Sequence, residues 1–301
     1  MTFEAIPLEH FGLEIRGIDP TREIPEDVRQ EMYDLWLRHG ILLFREMGQT
    51  SDAHLRLAQC FGPLQIHPVE RVRLKEDPNL MLLATENNTI PMQYVNGEVT
   101  QAFIYWHSDM AYVPEINKGS LLRMVECPER GGNTSWTDAA MAYDDLPADM
   151  KELLGSLEMI QVNRQAAVRP WGEPGLSLRV APADEFPIPP PTIMPEVLQP
   201  MVITHQETGI KSLLLSPLGY VGIAGMAQKE ADELFEQVCR HAFQEKYRYT
   251  HKWAPGDMIL WDNRRTMHLA WGYPLGMRRH AQRATLDQCQ PTGRYYQPQA
   301  A

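Results

Sequence analysis

The sequence predicts a mainly β fold with α, a double-stranded β-helix or jelly roll, in which helices flank an antiparallel core. Short β-like runs at Leu80 to Ala84, Ser120 to Val125, Met201 to Thr204, Ser212 to Leu215 and Met258 to Trp261 are separated by Gly, Pro, Asn and Asp turns. Helical periodicity is limited to a few segments among these runs, without the strand-helix alternation of βαβ units. No Ser/Gly-rich linker, charge block or internal repeat divides the chain, so residues 1–301 read as one domain.

The elements follow in order. Pro25 to His39 places Val28, Met32, Leu35 and Trp36 at helical spacing behind an acidic first turn, with Gly40 as the stop. Ile41 to Phe44 then reads as a short buried strand, and Ser51 to Cys60 as a helix capped by Ser51. Asn87 to Thr100 is polar and turn-rich and leads into the strand before residue 107, which suggests a mobile lid. Asp145 to Leu157 reads as a helix, as does Ala227 to Gln244, which presents Ala231, Leu234, Phe235 and Val238 on one face. Ala181 to Pro200 carries seven prolines and reads as a stiff surface excursion, with a substrate-covering loop as the alternative.

Composition excludes several classes. A hydrophobic fraction of 44% with 22% charged residues is ordinary for a globular protein. A net charge of -11 argues against a duplex nucleic-acid partner, which requires a basic face, but a few arginines in a cleft still suffice for an anionic small molecule. There is no apolar run near the length of a membrane span and no signal-peptide pattern at Met1-Thr2-Phe3-Glu4, so a cytoplasmic location is expected. Cys60, Cys127, Cys239 and Cys289 are far apart and form no Cys-x-x-Cys pair, as suits reduced thiols rather than a zinc-cysteine site.

The chemistry-bearing pattern is Trp106-His107-Ser108-Asp109 together with His268. In a strand His107 and Asp109 project from one face while Ser108 points away. Two histidines and one carboxylate occupy one face of an octahedral metal, the usual set for non-haem Fe(II) that keeps three positions open. His-x-Asp alone is a weak signal in a chain with 10 histidines. His205-Gln206-Glu207 competes, but its context reads as a turn between two apolar runs, with Gly209 supplying positive φ. After His268 the chain turns through Gly272-Tyr273-Pro274-Leu275-Gly276, and Arg279, Ala281 and Arg283 then share one face of a returning strand. Two guanidiniums in one cavity call for anions there or for flanking carboxylates. Arg278 and His280 fall on the opposite, solvated face.

Several blocks together resemble the taurine dioxygenase (TauD/TfdA) family. They are Trp106 to Asp109, Gly131-Gly132-Asn133-Thr134-Ser135-Trp136 with Ala142 to Pro147, and Gly256 to Arg264 running to His268, with Arg279 and Arg283 following 11 and 15 residues later. The blocks keep the family's order and spacing, and the resemblance runs from Gly12 to about Leu286. It implies a jelly roll with Fe(II) on His107, Asp109 and His268, and 2-oxoglutarate and O2 as cosubstrates. Arg279 and Thr134 would hold the distal carboxylate of 2-oxoglutarate. Arg283 would lie near the cosubstrate and grip an anionic substrate group, with His67 assisting. A carboxylate at position 109, where halogenating relatives carry a small residue, implies hydroxylation. Members of the family are often dimers or tetramers.

Two departures bear on the substrate. Phe103 stands where taurine dioxygenase has an asparagine near the substrate amine, and Glu70 replaces a tyrosine three residues after His67. A rim of Phe103, Tyr105, Met110 and Tyr112 would favour an apolar or aromatic body over a compact aminosulfonate. Two rivals remain: a metal-dependent hydrolase or isomerase on a cupin-like barrel, and a non-enzymatic small-molecule-binding jelly roll.

Overall fold

The computed structural model describes residues 3–47, 50–67, 70–167, 169–187 and 193–297. Two sheets face each other without closing into a barrel. The larger runs in the order Glu4–Pro7, Leu13–Arg16, Ile41–Phe44, Met258–Asp262, Gly119–Glu126, His280–Leu286, Leu80–Ala84, with one parallel pair, Leu13–Arg16 against Ile41–Phe44. The smaller runs Leu178–Val180, Gln93–Val95, Glu98–His107, Thr266–Pro274, Thr134–Asp138, Arg248–His251 and is antiparallel throughout.

Strand parity sorts the core into layers. On the larger sheet Leu42, Phe44, Leu121 and Leu260 pack outward against Val28, Met32, Leu35 and Trp36 of the helix Glu26–His39 and Leu57 of the helix Ser51–Gln59. Their neighbours Ile41, Leu43, Leu122 and Ile259 point the other way, onto Trp136, Tyr249 and Trp253 of the smaller sheet. The smaller sheet's outer face carries Phe103, Tyr105, Met267 and Leu269 against Ala231, Phe235 and Val238 of the helix Gln228–Ala242. The space between the sheets is lined by the remaining parity, and the functional residues lie there.

One irregularity decides which residues those are. His268 pairs with His107, but Ala270 pairs with Ile104, so Leu269 faces two residues, Tyr105 and Trp106. This β-bulge inverts parity along the strand: His107 and Ile104 share a face, and Phe103 and Tyr105 take the other.

The long helices start and stop close to the expected places, with two corrections. Thr50, not Ser51, caps the second helix, its Oγ1 accepting from the amide of Ala53 at 3.2 Å. The expected helix from Asp145 to Leu157 is shorter, Ala148–Gly155 after Pro147, and a separate helix that the sequence did not mark, Ala139–Asp144 capped by Asp138, precedes it. The segment Asn87 to Thr100 contains a hairpin, Gln93–Val95 against the start of Glu98–His107, joined by Asn96-Gly97 with φ of 50° and 85°. Of the proline-rich stretch, Val197–Pro200 pairs with Glu158–Gln161, and the proline cluster within 188–192 lies outside the described residues.

Between the pairs Trp271–Phe103 and Tyr273–Gln101, Ala102 and Gly272 both have left-handed backbones, φ 53° and 65°. A Cβ on Gly272 would sit 2.5 Å from the carbonyl oxygen of Gln101. Gly272→Ala is therefore expected to destabilise the fold by about 3 kcal/mol or more, since strain of about 1–2 kcal/mol adds to backbone overlap. Ala102→Gly should stabilise by up to about 1 kcal/mol by removing left-handed strain. Urea denaturation midpoints check both, and a loss of stability in Ala102→Gly would contradict the strain assignment.

Candidate metal centre

His107 ends its strand, Asp109 sits in the following turn, and His268 lies in the adjacent strand Thr266–Pro274. One ligand atom from each converges, all within 4.8 Å of one another. Asp109 Oδ1 is 3.7 Å from His107 Nε2 and 3.9 Å from His268 Nε2, and the imidazole centroids are 4.1 Å apart. His107 Nδ1 lies 2.8 Å from the carbonyl oxygen of Tyr105, an acceptor only, so Nδ1 carries the proton and Nε2 is free to coordinate. Ser108 points away, its Oγ toward the carbonyl of Leu215.

Electrostatics prepare Asp109 and His268 for a cation. Burial opposes ionisation of Asp109, but Arg283, His268 and His107 outweigh it and hold the carboxyl far below the usual carboxylate range. Burial, reinforced by His107, pushes the His268 imidazole well down, against the pull of Asp109, and so keeps it neutral. One carboxylate and two imidazoles form a donor set that fits a divalent transition metal.

Asn263 fixes the turn that carries Asp109. Its Oδ1 accepts from the Asp109 amide at 2.8 Å, and its Nδ2 donates to the Asp109 carbonyl at 2.9 Å and to Asn117 Oδ1 at 2.9 Å. Asp262 next to it is fully buried, accepts from His205 Nε2 at 2.8 Å, and pairs with Arg264. His205 is therefore committed elsewhere: its Nδ1 accepts from the amides of Glu207 and Thr208, in the turn that the sequence indicates, and Gly209 has φ 71°.

The cationic side groups differ in their partners. Arg283 reaches across from the larger sheet, Nη1 lying 3.2 and 3.3 Å from the two oxygens of Asp109 and Nη2 3.4 Å from Met81 Sδ. Its Nε is buried without a partner. Arg279 precedes the strand by one residue, and among the described residues its guanidinium makes no hydrogen bond or ion pair. Burial pushes it below its ordinary value, with only Tyr273 and Cys127 opposing. Gly132, φ 74°, passes beside it: a Cβ there would lie 3.8 Å from Arg279 Cδ and 2.7 Å from Pro128. Thr134 begins the next strand, and its Oγ1 accepts from Trp253 Nε1 at 3.0 Å.

The expected substrate rim is corrected in part. Phe103 and Tyr105 are fully buried in the cluster under the helix Gln228–Ala242, and the Tyr105 hydroxyl donates to the Trp171 carbonyl at 2.7 Å. The bulge turns them away from the metal ligands and brings Ile104 to the ligand face. Glu70 is exposed at the start of a 3-10 turn, Glu70–Val72. His67 lies in a segment that bridges to the strand ends at Leu64–Leu286 and Arg73–Met81, beside Arg283's neighbour Met81, while Pro68 and Val69 lie outside the described residues. Tyr112 lies close enough to the ligand set to sense it: burial first, then Asp109, pushes its phenol up, and Arg283 opposes them. The roles of Asn263, Met81 and Trp253 went unread. Only the Trp-Asp-Asn-Arg block gave Asn263 any signal. Asn263→Ala is expected to weaken Mn(II) or Fe(II) binding roughly 10- to 100-fold, the usual cost of losing a group that orients a ligand. Calorimetric titration checks this, with circular dichroism as the fold control; full affinity in a folded variant would contradict the clamp.

Comparison with known proteins gives concordant matches. The model of the family described as "Taurine catabolism dioxygenase TauD, TfdA family" matches residues 4–285. The (S)-phenoxypropionate/alpha-ketoglutarate-dioxygenase of Sphingobium herbicidovorans is 27% identical over 92% of both chains. The alpha-ketoglutarate-dependent 2,4-dichlorophenoxyacetate dioxygenase of Cupriavidus pinatubonensis is 28% identical over 95% of this chain and 98% of its own. Among solved structures, AAD-2 in complex with Mn(II) and N-oxalylglycine superposes with a TM-score of 0.70 at 26% identity, over 97% of this chain and 100% of its own. With nearly its whole length matched, the chain belongs to the TauD, TfdA family of dioxygenases.

Proposed function

We propose that this chain is a single-domain Fe(II)- and 2-oxoglutarate-dependent dioxygenase that hydroxylates a small anionic organic substrate with an apolar or aromatic body. The observation that carries the reading is a two-histidine, one-carboxylate set accompanied by Arg279, a half-buried guanidinium without a counter-ion among the described residues. A partly desolvated charge of this kind is costly unless an anion reaches it. A metal hydrolase or isomerase on the same triad has no need for that second anion site, and a binding module would gain no activity with iron.

When bound, Fe(II) with 2-oxoglutarate and O2 supplies the oxidant, yielding succinate and CO2 as one oxygen atom enters a substrate C–H bond. The chain's own residues place the reactants. His107 and His268 offer Nε2, and Asp109 offers its ionised carboxylate. Arg279 suits the far carboxylate of 2-oxoglutarate through its planar fork, with Thr134 beside it. Arg283, held beside the metal ligands by Asp109, is placed to anchor a second anionic group through its guanidinium. Met81, Ile104 and Tyr112 supply the apolar and aromatic walls.

The relatives named above direct the first screen to aryloxyalkanoic acids. Hydroxylation at the carbon bearing the ether oxygen gives a hemiacetal, which breaks into a phenol and a carbonyl acid. Aryloxy acids, sulfonates, sulfate esters and amphipathic carboxylates should be compared for coupled succinate release. Stimulation by aryloxy acids with release of the phenol is expected, whereas stimulation only by compact aminosulfonates would contradict the substrate reading. Arg279→Ala should raise the KM for 2-oxoglutarate at least roughly thirty-fold with iron affinity nearly unchanged, since truncating a desolvated charged pair costs about 2 kcal/mol or more. Equal loss of both would mean that the arginine is structural.

A further inference from the structure

Thr134 is 4% exposed, and its Oγ1 accepts from the indole of Trp253, 3.0 Å away. An indole N–H only donates, so the hydroxyl proton of Thr134 cannot be spent on Trp253. Among the described residues no acceptor claims that proton. It therefore points to whatever else occupies the space beside Thr134.

The indole is held in this role from several sides. The His251 ring meets it edge to face at 4.7 Å, and Trp136 lies 6.3 Å away. His251 is itself locked, Nδ1 to the Tyr249 hydroxyl at 2.9 Å and Nε2 to Asp257 at 2.9 Å. Asp257 also takes the amide of Ala254 at 3.0 Å, and the Cys127 thiol donates to the Trp253 carbonyl at 3.4 Å. Cys127 also faces Arg279, which joins this network to the unpaired guanidinium.

We infer that Trp253 is a positioning residue that commits the Thr134 hydroxyl to donating, so that Thr134 and Arg279 form an all-donor pocket selective for an ionised carboxylate. The inference rests on the 2-oxoglutarate reading above and adds the residue that sets the polarity of its pocket. Hydrogen bonds in such a chain strengthen one another, because the Thr134 oxygen that receives the indole proton becomes a better donor.

The test is a double-mutant cycle read by calorimetry, with N-oxalylglycine titrated into Mn(II)-loaded protein. Trp253→Phe should weaken N-oxalylglycine binding roughly 3- to 10-fold, the range of one net hydrogen bond, with Mn(II) affinity unchanged. In a Thr134→Val background the same change should have no further effect, whereas in Thr134→Ser, which keeps the hydroxyl, the effect should return. In steady state the KM for 2-oxoglutarate should rise with kcat preserved. Equal losses in the Val and Ser backgrounds, or none in Trp253→Phe, would overturn the inference. If Trp253→Phe fails to fold, Thr134→Ser binding like the unaltered protein and Thr134→Val binding at least threefold more weakly supports the donor role, and equal affinity of the two overturns it. Failure of the unaltered protein to bind N-oxalylglycine would instead refute the 2-oxoglutarate reading itself.

Discussion

The contact between Asp109 and Arg283 ties the structure together. Asp109 comes from the turn that follows a strand of the smaller sheet and Arg283 from the middle of a strand in the larger one, yet their charged atoms are 3.2 Å apart. Burial alone would favour a neutral Asp109. The guanidinium and the two imidazoles reverse that preference, so the carboxylate stays charged in a space from which most water is excluded. The same pair holds the two sheets in register over the ligand set. Asn263 completes the arrangement by gripping both backbone groups of Asp109.

Around this pair the cavity is arranged as a set of unsatisfied donors. Arg283 Nε, the Arg279 guanidinium and the Thr134 hydroxyl all lack acceptors among the described residues, while the buried carboxylates Asp138, Asp257 and Asp262 are consumed by Arg265, by His251, and by His205 with Arg264. The fold thus separates its buried charges into closed pairs that stabilise the scaffold and open donors that await anions. This separation accounts for anion binding by a chain of net charge -11.

The sequence made the metal ligands legible because their spacing and residue types are constrained by coordination, and the helix Glu26–His39 because its apolar period matches its burial. Side-chain direction beyond the ligands was less legible. Counting by two from His107 assigns Phe103 and Tyr105 to the ligand face, but the bulge at Tyr105-Trp106 adds one residue and reverses the count. No local composition marks that bulge. The Asn96-Gly97 hairpin was, by contrast, readable from its dipeptide, and polarity masked it. Thr50 and Ser51 are both good caps, and only the amide geometry of Ala53 distinguishes them. Trp253 is separated from Thr134 by 119 residues, and nothing in either neighbourhood signals the bond between them.

The account's central claim is that an open two-histidine, one-carboxylate face and a remote anion anchor together receive a chelating keto acid. Anaerobic titration of the Fe(II)-loaded protein with 2-oxoglutarate tests it directly. The account predicts a weak visible charge-transfer band that saturates at one equivalent and is absent from Asp109→Ala. Iron bound at His107, Asp109 and His268 with no such band at any 2-oxoglutarate concentration would contradict it.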